Sequence, residues 1–156
     1  MKNSSRRLLL CLAFSIASLC MVRQGFATLG GSVDSVESDR IALSAVRGTT
    51  TMQNGYTVQE IDYGGTAVRE YVSSSGVVFA VAWNGIRHPD LTVLLGSYTN
   101  QYQRALQQTP RQPGVRHLSV QTGGVVVEKW GHVRDLRGRA YAPGLIPPGV
   151  TTDEIN

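Results

Sequence analysis

Seven consecutive apolar residues, Val77-Val78-Phe79-Ala80-Val81-Ala82-Trp83, limit the folds open to this chain more than any other feature. Side chains alternate across a strand, so Val77, Phe79, Val81 and Trp83 are expected on one face and Val78, Ala80 and Ala82 on the other. A strand apolar on both faces belongs in the middle of a covered sheet, and its small-residue face invites close approach by a helix. A helix follows directly. Asn84-Gly85 is turn chemistry, Pro89-Asp90 is a helix start, and Leu91, Leu94, Leu95, Tyr98, Tyr102 and Ala105 form one stripe. Asn100 and Arg104 lie opposite, toward water. Gly96 interrupts the segment at a cost of about 1 kcal/mol relative to alanine, and "QQTPRQPG" ends it.

Upstream, "SVDSVESDRIALSAVRG" reads as a short amphipathic helix. Asp34 and Glu37 have capping-box spacing, Val33, Val36, Leu43 and Val46 recur near helical period, and Gly48 serves as a stop. "YTVQEIDY" and "TAVREYVS" are rich in β-branched and aromatic residues, and Gly64-Gly65 and Ser75-Gly76 punctuate them at hairpin spacing. Downstream, "VRHLSV", "VVVEKW" and "HVRDLRGRAYAP" form a second β region. The expected fold is α+β: an antiparallel sheet of about five strands, one main helix packed on it and a short N-terminal helix. Residues 28–142 form a single domain and 143–156, with Pro147-Pro148, an extended C-terminal tail.

Residues 1–27 read as an address. Lys2, Arg6 and Arg7 precede the apolar run Leu8 to Val22, and Gly25 and Ala27 supply the small side chains that signal peptidase accepts, so cleavage is expected after Ala27. The run is short for a membrane span, which needs about 20 apolar residues. Removal takes both cysteines, Cys11 and Cys20, leaving a chain without disulfide or thiol chemistry. It also takes four of the 15 basic residues and none of the 11 acidic ones, so the formal charge of +4 falls to about zero. Nucleic acid is therefore not an expected partner. No transmembrane span is expected after cleavage, and the location is periplasmic or extracellular.

The segments "TLGGSVDSV", "YTVQEI", "VREYVSSSGVVFAVAWNGIRHPDLTVLLGSY" and "GRAYAPGLIPPGVTTDEI" resemble the family catalogued as domain of unknown function 2844, small exported proteins of proteobacteria. The resemblance runs through essentially the whole chain after the leader. It implies a Gram-negative envelope or secreted location and brings no activity, substrate or catalytic residue.

Candidate ligand-binding residues fall in two places. At the hinge, Trp83, His88 and Asp90 place an aromatic, an imidazole and a carboxylate within a few residues. His88 with Asp90 suggests an oriented base, against which stands a structural corner in which Asp90 caps the helix. The second place is "HVRDLRGR", where Arg134, Arg137 and Arg139 face Asp135 alone and suit phosphate or carboxylate groups. The serines Ser73 to Ser75 lack the G-x-S-x-G elbow of a hydrolase. His117 and His132 with Glu128 lack a zinc-site spacing. Tyr63, Tyr71 and Tyr141 need no role beyond a half-buried sheet. No catalytic residue, metal or cofactor is assigned. The expectation is an exported, non-enzymatic binding or accessory domain of the envelope, holding another exported protein or an anionic envelope component. The alternative is a small hydrolase around His88 and Asp90.

Overall fold

The structure, a computed structural model, describes residues 29–110 and 114–156. The expected leader and its cleavage point lie outside the described residues. In chain order the elements are α1 (Ser35–Ala42), β1 (Val46–Gln53), β2 (Tyr56–Asp62), β3 (Thr66–Ser73), β4 (Val78–Gly85), α2 (Leu91–Leu95), a 3-10 turn (Gly96–Tyr98), α3 (Thr99–Gln108), β5 (His117–Gln121), β6 (Val126–His132) and β7 (Asp135–Tyr141). The strands make one antiparallel sheet in the order β1-β2-β3-β4-β7-β6-β5. The apolar ribbon, as β4, is the middle strand. Among the described residues no helix is long and apolar enough to cross a membrane.

The fold is α+β, with seven strands rather than about five. Six β segments are named from the sequence, and all form strands; the one not foreseen is β1, which takes Val46 and Gly48 away from the expected helix, and α1 stops at Ala42. Three successive threonines favour extended backbone, and Asn54-Gly55 closes the β1–β2 hairpin as a two-residue turn. The expected capping box is also absent. Asp34 itself has helical backbone angles and makes no side-chain cap, and Glu37 turns to Arg40 and Arg47. The Arg40 hydrogen bond comes first among the causes that hold its carboxyl at about 2. The main helix is broken into α2 and α3 at Gly96, whose φ of +45° suits glycine and few other residues.

Alternation along β4 fails at one point. Tyr71 lies opposite Ala80 and Val72 opposite Val78, so Phe79 is an extra residue in a bulge. Beyond it the faces exchange. Val78, Val81 and Trp83 share a core with Leu94 and Leu95 from α2, while Phe79 joins Ala80 and Ala82 on the other side. The helices thus cover the large residues, a reversal of the expected small-residue docking. Room for Trp83 comes from Gly138 on β7, where a Cβ would lie 2.3 Å from the indole.

The alanine face is covered by the tail. Across five strands it carries two mirrored rows: Val58, Tyr71, Ala80, Tyr141, Val126, and Glu60, Arg69, Ala82, Arg139, Glu128. The small methyls in the middle leave a trough, and Ile155 fills it, buried against Ala80, Ala82 and Phe79. Arg69 donates to the Asn156 carbonyl at 2.7 Å. Tyr71 Oη donates to the same carbonyl at 2.8 Å and accepts from Asn156 N at 3.0 Å. Arg139 donates to the Thr152 carbonyl, and Tyr56 to Glu154. The tail, expected to be extended, runs through two 3-10 helices, Pro143–Leu145 and Thr152–Glu154, and is tied down at its last residues.

Candidate functional site at the hinge end of the sheet

Trp83 sits near the end of β4 with its ring in the helix-side core. Its indole N–H donates to His88 Nδ1 at 2.8 Å, and the two rings stand perpendicular. An imidazole that accepts at Nδ1 carries its proton on Nε2 and is neutral. Burial, and then the nearby Lys129 charge, push its pKa down, in the same direction. Pro89, the next residue, is buried. Asp90 points elsewhere: its carboxylate accepts from Thr92 N at 2.8 Å and from Thr92 Oγ1 at 2.6 Å, capping α2. The two residues proposed as an oriented base therefore have different partners.

The arginine cluster is dispersed too. Arg134 occupies the β6–β7 turn with φ +69° and is exposed. Arg137 is bound to Asp135 at 2.8 and 3.3 Å, and this hydrogen bond first of all lowers the Asp135 pKa. Arg139 lies beneath the tail, paired with Glu128 at 2.6 Å. Of the three, Arg134 borders an open cavity. That cavity, about 680 Å³ and wide open, is formed by Arg134 with Ile86, Arg116, Val133 and Leu136. A smaller one of about 240 Å³ adjoins it through Arg116, Gly131 and Leu136 and reaches His88, Val115 and Lys129.

The groove brings together a pattern that candidate-by-candidate reading missed. Gly85-Ile86-Arg87-His88 and Gly114-Val115-Arg116-His117 repeat one tetrapeptide form, and His132-Val133-Arg134 echoes it. Each segment lies at the same end of the sheet and exposes its aliphatic residue: Ile86 at 55%, Val115 at 53% and Val133 at 86%. The neighbouring arginines differ in freedom. Arg87 stacks on Tyr63 at 4.1 Å and donates to the Tyr63 carbonyl. Among the described residues Arg116 and Arg134 form no salt bridge. Such a surface suits a ligand that is anionic and partly apolar.

Chemistry of other kinds finds less support in the geometry. Ser73 to Ser75 lie at the end of β3 and in the turn before β4, and His88 lies beyond the far end of β4, so the length of a strand, about 25 Å, separates them. Among the described residues no three His, Cys, Asp or Glu side chains come together as a metal-binding group.

Two buried acids were also missed. Glu70 on β3 is fully buried on the helix side and Asp39 on α1 is 1% exposed. Among the described residues neither oxygen of Glu70, nor Asp39 Oδ2, has a hydrogen-bond partner. Burial pushes Glu70 up to about 7; burial, and then the Glu70 charge, push Asp39 up to about 8. The signal was an acid on an apolar face: Glu70 between Val68 and Val72, Asp39 between Val36 and Leu43 at helical spacing.

No curated protein and no solved structure matches this chain. A family model described as "Protein of unknown function (DUF2844)" matches residues 25–155, and the chain belongs to that family.

Proposed function

We propose that this chain is an exported binding or accessory domain of the bacterial envelope, without catalysis of its own, that holds an anionic partner at the hinge end of its sheet. The observation that carries the reading is the groove where Ile86, Val115 and Val133 surround Arg116 and Arg134. Aliphatic tips and cations presented by three separate segments match a partner with phosphate or carboxylate groups beside apolar ones. Export is supported by the basic and apolar character of residues 1–27. A small hydrolase would need His88 oriented by an acid and facing a nucleophile. Asp90 is engaged by Thr92 instead, and the Trp83 indole occupies the nitrogen of His88 that an acid would orient.

The test is retention of envelope components by the immobilised exported protein. A partner retained at low salt, released by rising salt and lost in Arg116→Glu/Arg134→Glu supports the reading. Arg104→Glu, on the exposed side of α3, serves as the charge control. Equal retention by both variants, or none at micromolar protein, rejects the groove as the binding surface.

A further inference from the structure

β1 is bare. All eight of its residues are exposed, including Val46 at 69% and Met52 at 84%. Among the described residues it is the outermost strand and pairs only with β2. The other edge strand, β5, has five residues and lies against α3. Proteins commonly shield an edge with lysine, proline, a bulge or a covering element. β1 has neither lysine nor proline. Its bulge, between Arg47 and Thr50, leaves Thr50 to Gln53 in regular register. Its one charge, Arg47, is already paired with Glu37.

The hairpin determines which backbone groups are free. Gln53 and Tyr56 flank the two-residue turn and so exchange both backbone hydrogen bonds, and the antiparallel alternation makes Thr51 and Val58 the next such pair. The N–H and C=O groups of Thr50 and Met52 then point away from the sheet. We infer that β1 pairs antiparallel with β1 of a second copy of this chain, about a two-fold axis through Thr51, to make one continuous sheet of twice seven strands.

In this register Thr50 meets Met52 of the second copy, and Met52 meets its Thr50, so every outward group of the regular segment is bonded. Thr51 meets itself at a non-hydrogen-bonded position, where side chains are closest and threonine pairs are favourable. Arg47 falls opposite Gly55, away from its own symmetry mate. Pairing β1 with β5 would leave an edge free at each end and grow a filament, whereas β1 with β1 closes. The hinge ends of the two copies point in opposite directions.

The exported product of the full chain, carrying Cys11→Ser and Cys20→Ser, tests this. Mild oxidation of Thr51→Cys gives a covalent dimer. Thr49→Cys does not, since it lies on the same face but about 13 Å from its mate. By sedimentation the parent protein dimerises with concentration. Thr51→Lys weakens the dimer roughly tenfold or more by setting two ammonium groups opposite each other, while Thr49→Lys leaves it within about twofold. A monomer at every concentration, or equal behaviour of positions 49 and 51 in either assay, overturns the pairing.

Discussion

The two faces of one sheet accommodate carboxylates by opposite means, half-buried and paired on the tail side, fully buried and alone on the helix side. On the tail side Glu60 is matched by Arg69 at 3.0 Å and Glu128 by Arg139 at 2.6 Å, symmetrically about Ala82. Both arginines also reach carbonyls of the tail, so the charges that cancel there anchor the strap above them. On the helix side Glu70 and Asp39 have no cation among the described residues. Arg40, next to Asp39 in sequence, is bound to Glu37 and to the Ala45 carbonyl. A lone ionised carboxylate is costly in an apolar interior, so these two acids keep their protons well above the usual carboxylate range, toward pH 7 and 8. The lesson is that a buried acid is accommodated either by a partner or by a proton, and the two solutions respond differently to pH.

The largest effect expected from that contrast is on stability. Both acids have folded-state pKa values, about 7 and about 8, above the unfolded values near 4. Their contribution is complete below about pH 4, declines as pH rises toward 7 and 8, and is then flat. Each group costs about 1.4 kcal/mol per pH unit within its window. Between pH 5 and 7 the loss is on the order of 3–5 kcal/mol, readable by urea unfolding. Asp39→Asn/Glu70→Gln removes this loss and leaves the opposite dependence of His88, whose lowered pKa favours the fold as pH rises toward 6.5.

Next comes the strap. Ile155→Ala empties the trough over Ala80 and Ala82 and costs about 2–4 kcal/mol. Its loss leaves the pH slope intact, because the slope belongs to the other face. Arg139→Met strips Glu128 of its partner and the tail of its anchor, costing about 1–3 kcal/mol, with faster amide exchange confined to residues 151–156. The smallest change is Asp90→Ala, which removes the α2 cap for about 1 kcal/mol and leaves both faces as they were. If it also lowers a binding signal at the groove, Asp90 does more than cap.

Much of this architecture could be read from the residues, and the failures have definite causes. The ribbon from Val77 to Trp83 is recognisable because a middle strand must be apolar on both sides. Its face assignment failed at Phe79, since a bulge is a property of two paired strands and leaves no mark on one. β1 was hidden because an edge strand exposed on both faces carries no alternation. Arg134, Arg137 and Arg139 look like one cluster in the chain, but the turn takes the first, Asp135 the second and the tail the third. Gly138 announced nothing until Trp83 was seen lying across it. Glu70 and Asp39 were visible as acids on apolar stripes, but their proximity depends on α1 packing over β3.

A carboxyl-carbon NMR titration of Asp39 and Glu70 in the folded protein tests the central contrast most directly. The account predicts two coupled steps near pH 7 and 8 that belong to the pair. Titration of both groups near pH 4 would contradict it, because it would mean that the helix side tolerates two unpaired charges.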